Sequence, residues 1–321
     1  MRAVIPAAGI GKRLRPYTLK VPKVMISLAG KPLIGHILDP ISAAGVSSVS
    51  IIVGYLGEMV ENYVKEAYSH LRLDFPFQAE RKGLGHAILQ GLEDEEEDVL
   101  ILLGDTVFDV DYGKFTERSE NAIAVVKVDD PRRFGVAEVD EDNRVTRLVE
   151  KPAHPKSDLA LSGMYYIKDQ RVLKRALESL IAQDIRTRGE YQLTDALQML
   201  IEDGVDIQAV EINGWYDCGT EASLLDSHQF LLDRLELPEV APDINIHPPV
   251  YIHPSADIQD SEIGPYVTID QGTKVRRSKI KKTIIAEHSV IEDVELHDTL
   301  LAAASVMNAE MDSSSSDSTA D

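Results

Sequence analysis

A chain of 321 residues with 44% hydrophobic content is long for one core and short for three, which sets an expectation of two domains. Its formal net charge of −21, from 54 acidic against 33 basic residues, would repel nucleic acid and anionic membranes over most of the surface, so neither is an expected partner. No apolar run approaches the length of a membrane span, and Met1–Pro6 leads into a strand pattern rather than a signal segment. The single cysteine, Cys218, excludes a disulfide framework and a cysteine-based zinc cluster, and a cytoplasmic location is expected.

Residues 2–6 (RAVIP) read as a buried strand that enters a glycine-containing loop, and PLIGHILDPISAAG has helical spacing that ends at Gly45. SVSIIVGY then reads as a strand and EMVENYVKEAYSHL as a helix. The acidic run 93–98 is expected to be a solvated turn without a role. VLILLGD follows, a continuous apolar run ending in Gly-Asp, as in a central parallel strand whose carboxyl end faces a site. Alternating strand and helix is the α/β signature. Past Asp105 the pattern is mixed: AIAVVKV, GVAEVD and RVTRLVE read as strands, the last two as a hairpin, with helices near 169–182, 190–203 and 221–235.

The stretch 237–249 holds Pro238, Pro242, Pro248 and Pro249 and no apolar period, and is assigned as a linker between a first domain over 1–236 and a second over 250–306. In the second, Ile252, Ile258, Ile263, Ile269, Val275, Ile280, Ile285 and Val290 recur every five or six residues. That period predicts a hexapeptide-type β-helix of roughly three coils, in which each apolar residue is buried by the coils beside it. Residues 307–321, rich in Ser and Asp, are expected to be disordered.

The first loop reads AAGIGKRLRP. A dinucleotide fingerprint would need glycine at Leu14, and a P-loop would need glycine at Pro6 and a hydroxyl residue at Arg13. What remains is a turn at Gly9 and Gly11 that lets backbone N–H groups approach a phosphate, followed by the cations Lys12, Arg13, Arg15, Lys20 and Lys23.

These residues resemble the sugar-1-phosphate nucleotidylyltransferase family, especially glucose-1-phosphate thymidylyl- and uridylyltransferases, over roughly residues 1–235. In that family a loop of the form G-x-G-T-R-L-x-P and a Pro-Lys dipeptide hold the triphosphate. Here GIGKRLRP and Pro22-Lys23 take those places, with Lys12 standing for the usual threonine. Further landmarks follow in order: Gln78 with Gly83-Leu84-Gly85-His86, Leu103-Gly104-Asp105, Phe134-Gly135-Val136, Glu150-Lys151-Pro152, Gly189-Glu190 with Thr194-Asp195, and Trp215-Tyr216-Asp217-Cys218-Gly219-Thr220.

The resemblance implies an α/β, Rossmann-like nucleotidyltransferase domain with a mixed central sheet, followed by a short left-handed parallel β-helix. It implies transfer of a nucleotidyl group from dTTP or UTP to a sugar 1-phosphate, glucose 1-phosphate in first place, with release of pyrophosphate. Arg13, Lys23 and Lys151 are the implied catalytic cations. Ala8, Gly9, Gly11, Lys12, Gln78, Gly83 and Asp105 would bind the nucleotide, and Gly135, Glu150, Lys151, Thr194 and Trp215 the sugar phosphate. Asp105 and Asp217 would hold Mg²⁺, a hard cation suited to carboxylate and phosphate oxygens. The attacking phosphate is already ionised, so no general base is required. The base, UTP or dTTP, stays open, because one methyl group discriminates weakly. A homo-oligomer is expected, since β-helix ends and faces often pair with copies of themselves. Two other readings are a bifunctional enzyme whose β-helix acts as an acyltransferase through His253, His288 or His297, and a non-catalytic regulatory relative.

Overall fold

The computed structural model describes residues 1–234 and 245–309. These divide into two compact units: one of Met1–Ile10 with Ile34–Trp215, the other of Gly11–Leu33 with the described residues from Tyr216 onward. Most of the expected linker, 237–244, lies outside the described residues, as do 310–321 of the expected tail. Among the described residues no helix is long and apolar enough to cross a membrane.

The first unit is built on a nine-stranded mixed sheet. Its strands are β1 (Arg2–Pro6), β2 (Ser48–Ile52), β3 (Arg72–Asp74), β4 (Val99–Leu102), β5 (Asn121–Lys127), β6 (Gly135–Val139), β7 (Val145–Glu150), β8 (Leu159–Ile167) and β9 (Ile207–Glu211). The path runs β7-β6-β8-β4-β1-β2-β3, with β5 beside β8 and β9 beside β5. The strands β4, β1, β2 and β3 are mutually parallel. In β1, β2 and β4 the apolar residues are buried on both faces, as the unbroken VLIL run anticipates, whereas Leu73 in the edge strand β3 is partly exposed. Helices α1 (Leu33–Ala43) and α2 (Gly57–Ala67) make the crossovers from β1 to β2 and from β2 to β3. The chain then returns to the other side of β1, so the strand order reverses between β1 and β4, where open α/β sheets place ligands at the strands' carboxyl ends. Two glycines let the loops crowd there. A Cβ on Gly104 would lie 2.7 Å from the Pro6 carbonyl oxygen, and one on Gly54 2.9 Å from that of Ala8.

The acidic run is not a bare solvated turn. Arg2, 2% exposed at the start of β1, pairs with Asp74 at 2.6 Å and Glu93 at 3.1 Å and also donates to Ser48 and to the Gly91 carbonyl. The terminal amino group meets Glu97, Lys174 meets Asp94, Arg171 meets Glu96, and Lys168 meets Asp98. The run fastens β1 and the helix α4 (Gln170–Ala182) because a buried guanidinium has to be matched by carboxylates.

The second unit contains the parallel β-helix. Successive coils stack in register, Val250 on Val267, Thr283 and Thr299, and Ile258 on Val275 and Ile291. The partners lie 17 and then 16 residues apart, because the strands Lys279–Ile285 and Glu295–Leu301 each run through two faces without a turn between them. This shortening explains the irregular period. It also shifts the last inward position: Ile291, not Val290, stacks on Val275 and is fully buried. The stack extends beyond the expected bounds at both ends. Asn245–Ile246 pairs with Glu262–Ile263, and Val306–Asn308 pairs with Val290–Glu292, so Met307 belongs to a coil rather than to the tail.

Two further segments pack on these coils. In the hairpin of Ser27–Leu28 with Lys31–Pro32, the Ser27 hydroxyl donates to Asp270 at 3.0 Å, and Gly30 lies so close to the Tyr251 ring that a Cβ would sit 2.3 Å from it. In the helix Glu221–Leu232, the His228 ring is 2.8 Å from the Thr268 hydroxyl, both fully buried. These contacts explain why the division of the chain differs from a single break in the proline-rich segment.

Candidate functional site

In the first unit the expected base-binding residues lie on the segment between β3 and a short helix, α3 (Leu84–Leu89). Gln78 is 6% exposed, and its backbone N–H donates to the Val53 carbonyl just past β2. Gly83 precedes α3 with φ +120°, and a Cβ there would fall 2.5 Å from the Tyr191 carbonyl oxygen, so glycine is required by both conformation and space. The Tyr191 N–H donates to Lys82 and its carbonyl accepts from Gly85, which ties this segment to the start of α5 (Leu193–Glu202). Tyr191 is buried, with its hydroxyl on Asp184, and is thereby a structural anchor. Sequence reasoning named His86 among the landmarks beside Gln78 but passed over its link to Gln90, one helical turn on. The Nε2 atoms of Gln78 and Gln90 both lie 3.3 Å from His86 Nδ1. Burial, then the charge of Lys82, holds the His86 pKa below the usual histidine range.

Four of the five expected sugar-side residues meet in one cluster. Glu150, at the end of β7, accepts from the Thr194 hydroxyl at 2.8 Å through Oε2 and pairs with Lys151 at 3.1 Å through Oε1. A Cβ on Gly135 would lie 3.2 Å from Glu150 Oε2 and 2.7 Å from Leu161 Cδ1, so a side chain there would have to displace Leu161 and would crowd the carboxylate. Lys151 has φ +44°; its N–H donates to Phe134, and its carbonyl accepts from Arg188, which holds the turn. Trp215 is half-buried and stands edge-on to Phe134, with ring centroids 5.4 Å apart. Asp195, not assigned a role from the sequence, lies beside this group, and burial and then the negative charge of Glu150 raise its pKa. Asp105 stands half-buried past the end of β4, with the Thr106 hydroxyl 3.5 Å from its Oδ1.

In the second unit Gly11 takes φ +65° and opens a turn of 3₁₀ helix over Lys12–Leu14. Leu14 is 1% exposed, and Thr18, equally buried, donates to the Gly11 carbonyl at 2.8 Å. Burying Leu14 and Thr18 turns Lys12 and Arg13 outward. Lys23 differs from a surface cation in being only 7% exposed. Asp217 is steadied by the helix that follows, whose first turn carries a capping box between Thr220 and Ser223, and its backbone carbonyl accepts from Ser227. A Cβ on Gly219 would lie 2.8–2.9 Å from both Asp217 carboxylate oxygens and 2.9 Å from Arg13 Nη2, so these side chains converge where the glycine leaves room. Gly9, which belongs to the first unit, is different: a Cβ there would meet nothing within 4 Å, and no crowding accounts for the glycine. Cys218 is fully buried beside Asp217.

A family model described as nucleotidyl transferase matches residues 2–234, most of the chain and every site residue above. The chain belongs to the nucleotidyl transferase family. This nucleotidyl transferase is 33% identical over 326 residues to a glucose-1-phosphate thymidylyltransferase of Streptomyces antibioticus, an alignment covering 92% of this chain and 89% of that protein. It is 32% identical over 222 residues to the UTP–glucose-1-phosphate uridylyltransferase AglF of Haloferax volcanii, covering 67% and 89%. The bifunctional protein GlmU of Methanocaldococcus jannaschii is 35% identical over 236 residues, which is 73% of this chain but 55% of that protein. A solved Bacillus anthracis chain described as a glucose-1-phosphate thymidylyltransferase, in complex with sucrose, superposes with a TM-score of 0.60 at 27% identity, covering 72% of this chain and 94% of that one. A UDP-glucose pyrophosphorylase with bound UDP-glucose gives the same TM-score at 24% identity, covering 71% and 97%, and so supports the fold.

Proposed function

We propose that this nucleotidyl transferase moves the nucleotidyl group of UTP or dTTP onto glucose 1-phosphate and releases pyrophosphate. The observation that carries the reading is the meeting of Gly135, Glu150, Lys151 and Thr194, which come from three separate places in the sequence and pair a carboxylate and a hydroxyl with a cation. Such a set suits a hexose carrying a phosphate: the carboxylate and hydroxyl bond sugar hydroxyls, and the lysine neutralises the phosphate.

The reaction brings two anions together while the β,γ-phosphates leave, so charge neutralisation and alignment are the main tasks. Arg13 offers a planar fork of donors to the departing phosphates, and Lys23 a point charge to the α-phosphate. Burial suits Lys23 to that role, since a desolvated cation acts more strongly on a phosphate than an exposed one. Lys151 holds the incoming sugar phosphate. Gly11 and Lys12 approach the triphosphate, Gln78 and Gly83 the base, and Trp215 covers the sugar. Asp105 in the first unit and Asp217 in the second each offer half-buried carboxylate oxygens, the hard donors that suit Mg²⁺. When bound, the ion supplies neutralisation of phosphate charge. A cytoplasmic homo-oligomer completes the reading.

Pyrophosphate release in the presence of Mg²⁺ tests it, pairing each of UTP, dTTP, ATP, CTP and GTP with glucose 1-phosphate and with the 1-phosphates of mannose, galactose and N-acetylglucosamine. Release that requires both substrates, greatest with UTP or dTTP and glucose 1-phosphate, is the expected result. No release with any pair, at low or high salt, would overturn it.

A further inference from the structure

The neighbours of Gln78 fix more than its place. The Gln90 side-chain nitrogen lies 3.2 Å from the His86 carbonyl oxygen, which can only accept, so an N–H of that amide faces it. The same nitrogen lies 3.3 Å from His86 Nδ1. A donor on that side requires Nδ1 to present its lone pair, which makes the ring neutral with its proton on Nε2. The nitrogen of Gln78, also 3.3 Å from Nδ1, then donates to the same atom; the opposite amide orientation would set Oε1 against the lone pair. The Gln78 amide is therefore oriented, with its oxygen at the end turned away from the histidine. Both partners are held: Gln78 is buried with its N–H on Val53, and the first turn of α3 is pinned by the bond from Gly85 to Tyr191.

We propose that His86, set by Gln90, is a positioning residue that makes Gln78 select an imide-bearing pyrimidine, uracil or thymine, over cytosine. The proposal rests on the nucleotide role given to Gln78 above. An outward Oε1 accepts the N3–H of uracil or thymine. Cytosine carries a lone pair at N3, so the two acceptors oppose each other and a buried polar group is left unpaired. Protonating His86 reverses the arrangement, because a hydrogen on Nδ1 repels the two amide nitrogens and turns Gln78 over, presenting its N–H₂ outward. The charged groups acting on the ring are Lys82, which lowers its pKa, and Glu80, which raises it, the two being paired with each other. Burial and Lys82 outweigh Glu80, so the selective neutral form persists below the usual histidine pKa.

The test compares UTP, dTTP and CTP in kcat/KM with glucose 1-phosphate, and in equilibrium binding, for the wild type, His86→Leu and His86→Asn. His86→Leu should cut the UTP-to-CTP ratio about tenfold or more, the scale of one buried hydrogen bond. His86→Asn, whose Oδ1 can stand in for Nδ1, should restore it. In the wild type the ratio should hold through the usual histidine range and fall only as pH drops below it, and in His86→Asn it should stay level. An unchanged ratio in a His86→Leu enzyme that still uses UTP overturns the proposal, as does a wild-type ratio independent of pH. If His86→Leu does not fold, Gln90→Leu gives the same reading, since it releases the tautomer and should lower the ratio. Should no nucleotide be turned over at all, the transferase reading fails, and the binding ratios for UTP and CTP still decide the role of His86.

Discussion

Arg13 and Lys23 sit on one short segment yet meet solvent differently, and this separates what substitution should do to each. Arg13 is exposed and converges with Asp217 on the space left by Gly219, so replacing it disturbs little packing. Arg13→Ala should keep the melting temperature and lower kcat by roughly 100- to 1,000-fold, about 2.7–4 kcal/mol of barrier. Arg13→Lys should recover only part, because a point charge does not replace a fork of donors. A loss of about tenfold or less in Arg13→Ala would remove it from the reaction. Lys151 should read out differently. Lys151→Met should raise KM for the sugar phosphate by about 10- to 150-fold, the range of a charge-assisted hydrogen bond, and leave KM for the nucleotide nearly unchanged. Steady-state kinetics with each substrate varied in turn distinguishes the two. The sequence carried the identity of these residues plainly, through glycine spacing and ordered landmarks. It did not carry their burial, since nothing in Pro22-Lys23 shows that the lysine packs beside Gly11 and is almost fully enclosed. Nor did it show that His86 and Gln90 act on Gln78, which takes a turn of helix and a side-chain tautomer to see.

At the scale of elements, the legible parts were those with one dominant signal. The parallel strands β1, β2 and β4 are short apolar runs bounded by turn residues, and they stand where the pattern puts them. Strand β8 was missed for a physical reason. LALSGMYYI is buried along almost its whole length, so it lacks alternation, and Gly163 in its middle looks like a breaker. The glycine takes φ +97°, the pairing with β5 shifts register between Leu161 and Tyr165, and a Cβ there would lie 2.4 Å from Leu103 Cδ1. In the β-helix the stricter position is Gly264, with φ +104° and a Cβ position 1.9 Å from the His247 carbonyl oxygen, a backbone atom that cannot swing aside. Gly264→Ala should destabilise by several kcal/mol, combining the left-handed cost of about 1–2 kcal/mol with overpacking of about 1–3 kcal/mol. Thermal or urea unfolding checks it, and a change under about 0.5 kcal/mol would contradict the crowding.

Asp270, where the hairpin at Ser27 meets the coils, gives an element-scale dependence on pH. Burial, with a smaller contribution from Glu287, raises its pKa to about 6 despite the bond from Ser27. A folded pKa above the unfolded one means that the folded state favours the protonated acid. That stability is fully present below the unfolded value near pH 4 and is lost as pH rises through about 6. Asp270→Asn keeps an acceptor for Ser27 and never ionises. Its advantage over the wild type should be near zero around pH 4, grow up to about pH 6, and level off at roughly 3 kcal/mol, taking about 1.4 kcal/mol per pKa unit. Melting curves across that range test this; a constant difference, or one that shrinks with rising pH, would show that the Asp270 carboxylate is not the cause.

For the whole molecule the net charge of −21 sets two effects of salt against each other. Screening reduces repulsion among the excess carboxylates, which favours the compact state, and it weakens ion pairs, which opposes it. Their sizes decide the sign. Exposed pairs such as Lys127 with Glu211 or Arg277 with Asp293 contribute little to begin with, so little is lost. The pairs that matter most to the sheet gather on Arg2, whose guanidinium is almost fully buried while Asp74 and Glu93 reach solvent, so salt screens them less than it does the surface pairs. The repulsion is spread over the surface and falls steeply as the Debye length shortens from about 10 Å at 0.1 M to about 3 Å at 1 M. The melting temperature should accordingly rise between 0.1 and 1 M NaCl, and Arg2→Met should lower it at both concentrations by a similar amount. Net charge can be counted from the sequence, but the pairing of the acidic run with Arg2, Arg171 and Lys174 could not, because those partners are distant in the chain and meet only once the sheet has formed. A melting temperature that falls with salt would mean that the surface pairs outweigh the repulsion.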